Sequence, residues 1–468
     1  MGHMPRLALL TSPTDPDPSV ASLAFLGALG ATGWKVQHFR SWACPLTSRP
    51  IGPITGLPGR HLDAWLMSPS VCRSVFTRGA RQTDLALVEG SLEFAPIARV
   101  NDQAAGLACG RSGEIPGPIA PLLEILDLPA IAVLDCLANE PLSLPLIPRQ
   151  ADAVLLDGVR DRHHFEQLKQ LIEQRSGAPV VAGLEALPAV RAGLAGWPAG
   201  RPVPRDLLEP LIRSFLNTVD WGLVSRLAKS REFPAPDQAG LEVPAWLLTS
   251  GERRFRVAYA QDEAFGGYFP DTLEALELLG AELVEFSPLR SEALPRGVDL
   301  VMIGCGFPDH HAAQLSANIS MMAELQAHVC KGQRIYAEGG GAAYLGRSMQ
   351  IGAQVFPGAG ILPIDARLVD ETGWPQPVER QLTSDSWLAR SGTVVRGYRS
   401  GRWNLLPAPN PHDCPSRFGF LSTEPDIVFR SEAIGSLVHL HLSALTNVVT
   451  GFASHHKLRS TRLNSVSR

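Results

Sequence analysis

The chain has 468 residues, a formal net charge of -4, 45% hydrophobic and 19% charged residues. That length suits two or three domains, and the near-neutral charge carries neither a nucleic-acid footprint nor a membrane-surface patch. No apolar run approaches the roughly 20 residues of a membrane helix. No basic region followed by a long apolar core opens the chain, so no signal peptide is expected, and Met1-Gly2-His3-Met4 reads as a cloning remnant. Seven cysteines (Cys44, Cys72, Cys109, Cys136, Cys305, Cys330 and Cys414) include no CxxC pair. An odd count without that spacing excludes a disulfide framework or zinc ribbon, predicts buried structural thiols, and favours the reducing cytoplasm.

The first buried strand is expected over residues 6–10, followed by a loop with three prolines and a helix over 19–32. Strands follow over 36–39 and 85–90, a helix over 121–126, and strands over 130–135 and 153–156. A helix over 164–175 and a strand over 179–184 complete this alternation, which predicts a mostly parallel sheet with helices on both faces. Residues 186–225 begin Pro-rich and turn helical over 207–216 and 219–227. Residues 230–252 are rich in Pro and Gly and read as a linker. A second alternation then begins: strand 256–259, helix 270–279, strands 282–286 and 299–303, helix 316–330, strand 334–337. After Gly346 the pattern shortens to strands and turns. The segment 454–468 is polar and basic, without apolar periodicity, and is expected to be disordered or an artefact of sequence assembly. The domain reading is therefore 5–229, linker 230–252, 253–450, and tail 451–468.

The most informative stretch is Ile335-Tyr336-Ala337-Glu338-Gly339-Gly340-Gly341. An apolar strand, a tight glycine turn and a helix opening at Ala342 have the form of a nucleophile elbow, which holds one reactive side chain on a strained turn. The tip here is Gly339, which has no nucleophile.

Several motifs carry a family resemblance. They are Gln261-Asp262-Glu263-Ala264-Phe265, Gly280 to Leu289, Gly304-Cys305-Gly306-Phe307-Pro308-Asp309, Leu315-Ser316-Ala317-Asn318, Tyr336-Ala337-Glu338, Tyr344 to Ser348, Gly360-Ile361-Leu362-Pro363 and Val438-His439-Leu440-His441. In the first half, Val36 to Phe39, Arg60 to Trp65, Val88-Glu89-Gly90 and Arg162-His163 also fit. Together they resemble the cobyrinic acid a,c-diamide synthases, over nearly the whole chain to about residue 445. The resemblance implies two α/β domains: a P-loop-NTPase-like (dethiobiotin-synthetase-like) parallel-sheet domain and a class I glutamine-amidotransferase-like domain. It implies that the first activates a carboxylate with ATP and magnesium, and that the second releases ammonia from glutamine with a Cys–His pair.

Set beside that pattern, the chemistry is missing. The family has Cys where this chain has Gly339, and glutamine hydrolysis proceeds by thiolate attack. His439 stands at the position of the partner base, and Gly304-Cys305-Gly306 at the oxyanion loop, where backbone N–H groups would face a tetrahedral intermediate. Cys305 lies in a different loop and reads as a structural thiol rather than a substitute nucleophile. His439-x-His441 on a strand would put both rings on one face, but too few further ligands accompany them for a metal, and none is assigned.

The phosphate-binding loop is absent as well. Where a glycine-rich loop should end in Gly-Lys-Thr or Gly-Lys-Ser, the chain reads Thr11-Ser12-Pro13-Thr14-Asp15-Pro16-Asp17-Pro18-Ser19-Val20. Three prolines remove N–H donors, two aspartates bring negative charge, and no lysine is present. Ser19 is left as a helix cap. Arg40-Ser41-Trp42-Ala43-Cys44 and Ser91 to Pro96 also depart from the family. Asp63, Glu89 and Asp135 survive and, with Arg162 and His163, are the candidate remnants of a substrate or metal site. Without a phosphate cradle, the three carboxylates read as strand-end residues and ion-pair partners.

The expectation is a catalytically silent relative that binds a tetrapyrrole, corrinoid or sirohydrochlorin-like, or a partner protein. That partner could be a second copy or a related active enzyme. A second reading is an active amidase that takes free ammonia or uses rearranged residues. A third is a sensor of glutamine or tetrapyrrole, with a pocket widened beneath Gly339.

Overall fold

The computed structural model describes residues 4–12, 18–43, 49–92, 118–137, 146–198, 200–233, 255–369, 375–408, 418–422, 425–445, 448 and 451–452. The proline-rich stretch 13–17, Cys44, Cys109, Cys414, residues 93–96, most of the expected linker and the tail fall outside them. The described residues divide into two compact units, 4–233 and 255–452.

The first unit runs β1 (Arg6–Thr11), α1 (Val20–Ala31), β2 (Val36–Arg40), α2 (Gly52–Thr55), β3 (Arg60–His61), α3 (Pro69–Ala80) and β4 (Leu85–Ser91). It continues α4 (Ala120–Ile125), β5 (Ala130–Asp135), β6 (Ala153–Val159), α5 (Arg162–Ser176), β7 (Val180–Glu185), α6 (Pro188–Ala195), α7 (Arg205–Leu216) and α8 (Trp221–Ala228). Its seven strands form one sheet in the order β3-β2-β4-β1-β5-β6-β7, and every pair is parallel. β1 lies inside the sheet because nearly all of it is apolar and buried, the pattern of a strand covered on both faces. Helix α1 is apolar on all sides and is buried from Val20 to Leu29. A β-carbon on Gly27 would stand 2.6 Å from Ile212 Cγ1, so only glycine lets α1 lie this close to α7. Phe25 stacks on Phe215 across the same contact, with centroids 5.1 Å apart.

The second unit runs β8 (Phe255–Ala260), β9 (Phe265–Gly267), α9 (Pro270–Leu278), β10 (Ala281–Phe286), β11 (Leu300–Ile303), β12 (Cys305–Gly306), α10 (Ala312–Ala317), α11 (Ile319–Cys330), β13 (Arg334–Glu338) and α12 (Gly340–Leu345). Shorter strands follow, among them β14 (Ser348–Ile351), β15 (Gln354–Pro357), β16 (Ile364–Leu368), β17 (Gln376–Gln381), β18 (Val394–Arg399), β19 (Trp403–Pro407), β20 (Phe418–Phe420), β21 (Ile427–Arg430), β22 (Ala433–Ser436) and β23 (Val438–His439). The main sheet has the order β10-β8-β11-β13-β22-β21-β20. Its pairs are parallel as far as β22 and antiparallel beyond it. Alternate residues feed two cores. Ala258, Ile303, Ile335 and Ala337 face one; Val257, Met302 and Tyr336 face the other.

Two expectations need correction. The helix expected over 316–330 is two helices, because Asn318 leaves helical geometry and its side chain caps α11 by accepting from Met321 N. Residues 69–80, assigned no element from the sequence, form α3, opened by Ser68 as N-cap with Pro69 behind it.

Candidate functional site

In the second unit the turn after β13 has elbow geometry. Gly339 sits at φ 52° and ψ -116° between the strand and α12. Its N–H donates to Ser436 O at 2.7 Å, and its carbonyl accepts from Ala343 N at 3.2 Å. Those bonds fix a backbone conformation that L-residues rarely adopt. A β-carbon on Gly341 would stand 2.4 Å from Ile303 O, so glycine is what lets α12 press against the end of β11.

His439 comes from β23 to the same place. It is fully buried, and its Nε2 has no hydrogen-bond partner among the described residues. A β-carbon built on Gly339 would lie 3.0 Å from His439 Cε1 and 3.7 Å from its Nε2. Nδ1 on the far side of the ring lies 3.3 Å from Glu338 Oε2. Glu338 Oε1 accepts from Tyr336 Oη at 2.7 Å and from Leu440 N at 3.0 Å. Burial and the Glu338 charge hold the Tyr336 hydroxyl well above its ordinary range, so it stays a neutral donor. A carboxylate locked from one side and aimed at a histidine from the other is the arrangement that orients a general base.

The loop Gly304-Cys305-Gly306 closes the site. Cys305 is buried and donates its S–H to Gly267 O at 3.1 Å, and its Cβ would lie 3.1 Å from a β-carbon on Gly339. Gly304 N donates to Tyr268 Oη at 2.8 Å, and that hydroxyl is also within 2.9 Å of Ala260 O. Beside it is a cavity of about 20 Å³, lined in part by Tyr268, Thr272, Gly304 and Glu338, room for about one water. Cys305 Cβ and the His439 ring border the place where a side chain on Gly339 would begin. The two histidines take different neighbours, since His441 packs its ring on Phe269 at 4.7 Å.

In the first unit Glu89, at the C-terminal end of β4, is buried with His38 of β2. Its Oε2 lies 2.9 Å from His38 Nε2, and its Oε1 accepts from Ser19 N at 2.9 Å. Burial pushes this carboxyl up, but the His38 ring, Ser19 N–H and Ser22 hydroxyl more than offset it, so the net shift is downward. Ser19 caps α1 as expected, accepting from Ser22 N. A carboxylate of the protein itself therefore occupies the N-terminal end of α1, where the helix dipole favours an anion.

Residues 256–404 match the model of the CobB/CobQ-like glutamine amidotransferase domain. The cobyrinate a,c-diamide synthase of Dehalococcoides mccartyi (strain CBDB1) is 26% identical over 477 residues, 96% of this chain and 98% of the relative. That of Methanosarcina barkeri (strain Fusaro / DSM 804) is 30% identical over 381 residues, 76% of this chain and 73% of its own. The chain belongs to the cobyrinate a,c-diamide synthase family. A crystal structure of a glutamine amidotransferase covers 42% of this chain and 98% of its own, at 17% identity and a TM-score of 0.31.

Within this diamide synthase-like chain the candidate residues divide. Gly339, His439 and Cys305 come together, with Gly304 and Gly306 in the loop beside them. Glu338 completes that group and went unassigned from the sequence; its signal was its place next to the elbow tip. Glu89 has His38 as partner, a contact between residues 51 apart that no spacing rule announces. Asp63 is buried and accepts from Trp65 N at 2.9 Å and Ala43 N at 3.2 Å, which makes it a turn former. Asp135 is exposed at the end of β5 and accepts from Leu137 N at 2.8 Å. Arg162 and His163 are exposed in the first turn of α5, with His163 Nε2 2.9 Å from Gln167 Nε2. Among the described residues no three His, Cys, Asp or Glu side chains group as metal ligands.

Glu89→Ala would leave His38 and the α1 cap without their buried partner. It is expected to lower stability by about 3–5 kcal/mol in urea denaturation. The depressed folded value means the unfolded state binds the proton more readily. The contribution of Glu89 is therefore full above its ordinary 4.5 and is lost as pH falls through the lower folded value. Acid titration of the wild type against Glu89→Gln checks this, since the variant should lose that part of the pH dependence.

Burial pushes the thiols of Cys72 and Cys136 up to about 12. At pH 8 iodoacetamide is expected to label them roughly a thousandfold more slowly than an ordinary thiol. Peptide mapping against the exposed Cys330 tests this.

Proposed function

We propose that this diamide synthase-like chain neither hydrolyses glutamine nor amidates a carboxylate with ATP, and that it is retained to bind a tetrapyrrole carboxylate or a partner protein. The observation that carries the reading is Gly339. The elbow, His439 and Glu338 are built and buried, yet the residue at the tip has no atom that could attack an amide. Loss of the nucleophile from such a coupled group costs on the order of 10⁶ in rate. Cys305 does not supply the missing function, because its S–H is engaged with the Gly267 carbonyl.

The first unit supports the same reading. No lysine and no glycine occur in residues 11–20, and Glu89 presents a negative charge at the start of α1. A triphosphate brought there would meet a carboxylate instead of a row of N–H donors. The ligand class follows from the relatives, whose name places cobyrinate as substrate. A corrinoid or a sirohydrochlorin-like polycarboxylate is the expected small-molecule partner, and a second copy or an active homologue the expected protein partner.

Isothermal titration with Mg-ATP is expected to give no binding below millimolar concentration; micromolar affinity would overturn the reading. Incubation with cobyrinic acid, ATP and either glutamine or ammonia is expected to yield neither glutamate nor amide. Ammonia-dependent amide that disappears in Asp63→Ala would instead show an active ligase with rearranged chemistry.

A further inference from the structure

Cys305 lies between two glycines. In the β9–β12 ribbon it pairs with Gly267, where an added β-carbon would stand 2.5 Å from the Cys305 sulfur. On the other side is Gly339, whose added β-carbon would stand 3.1 Å from Cys305 Cβ and 3.0 Å from His439 Cε1. Both latter distances are tighter than ordinary side-chain contact. A close-packed interior does not absorb such an overlap freely. The Cys305 β-carbon crowds the place where an elbow side chain would begin, and its sulfur is turned to Gly267.

The surroundings are those of a working site. The elbow backbone keeps its positive φ. His439 is fully buried, and its unpartnered Nε2 lies 3.7 Å from the point where an elbow side chain would begin. Glu338 holds the other ring nitrogen, and is itself held by Tyr336 and Leu440. His439 is a base without its acid.

We propose that the second unit is a latent glutaminase, silenced by the glycine at the elbow tip and by Cys305 beside it. The Cys305 β-carbon crowds the start of any side chain on the elbow, and only the joint exchange Gly339→Cys with Cys305→Gly restores amide hydrolysis. The inference rests on the reading that the unaltered chain does not hydrolyse glutamine. In the doubly exchanged protein the elbow thiol gives its proton to His439 Nε2, and sulfur bonds to the side-chain amide carbon. That proton passes to the nitrogen as the C–N bond breaks, and ammonia leaves. Water then hydrolyses the thioester, releasing glutamate and restoring the thiol.

The test compares four full-length proteins: wild type, Gly339→Cys, Cys305→Gly, and the double variant. Glutamate release is measured in each and thermal melting recorded. The double variant is expected to release glutamate at least a hundredfold faster than the wild type, with loss of that rate on adding His439→Ala. Both single variants are expected at wild-type background. Gly339→Cys is expected to melt lower than the wild type, and adding Cys305→Gly to recover part of the loss, a coupling that reads the contact independently of activity. Gly339→Cys alone as active as the double would overturn the proposal. So would a folded double variant whose elbow thiol is alkylated by iodoacetamide but which releases no glutamate, or melting effects that simply add. Glutamate release by the wild type would instead refute the underlying reading of an inactive chain.

Discussion

The second unit is organised around one constrained residue, the positive-φ turn at Gly339. A buried strand must reverse into a buried helix within a single residue there. That is sustained by Ser436 O accepting from Gly339 N and by α12 packing onto Pro308 through Gly340 and onto the end of β11 through Gly341. Such a turn stores backbone strain that the surrounding fold has to over-determine. A glycine lowers that strain, because it adopts φ 52° without a β-carbon penalty. The conformation an active tip would be forced into is thus kept by a residue that adopts it without strain. Retention of the geometry is therefore no sign that the chemistry persists.

The two units solve a similar electrostatic problem in different ways. In the first, Glu89 is buried but satisfied on both oxygens, by His38 on one and by the α1 terminus on the other. In the second, Glu338 is buried and satisfied by Tyr336, Leu440 and His439. A buried carboxylate is tolerated only with such partners. The first arrangement terminates in a helix cap and reads as structural. The second ends at His439 Nε2, which has no partner among the described residues, and it is that unfinished end that marks a site.

The sheets were legible because their strands are apolar runs separated by turn residues: β1, β2, β5 and β13 lie within a residue or so of their expected limits. Elements of mixed composition were not. Ser68 to Ala80 interleaves Ser, Pro, Arg and Gly with its apolar residues, and its helix is announced only by Ser68 at the cap, Pro69 behind it and Arg78 in the last turn. The elbow was legible from one short stretch, because strand, glycine turn and helix are contiguous. The approach of Cys305 to Gly339 was not, since the two lie in separate turns, after β11 and after β13, that only the folded sheet brings side by side. Asp63, read from the sequence as a strand-end carboxylate, accepts instead from backbone N–H groups of its own turn, a contact set by local chain geometry.

A closely packed elbow differs in kind from an eroded one. Erosion removes interactions one by one and leaves buried polar groups unsatisfied, at about 1–3 kcal/mol each. Here Cys305 Cβ and the His439 ring border the place where a side chain on Gly339 would begin, so the elbow is closely packed without one. A core packed in that way keeps its density with glycine at the tip, while the Cys305 thiol lies in a ribbon where its proton has an acceptor. What the fold holds there is a buried histidine, oriented by a carboxylate, facing the backbone of a glycine.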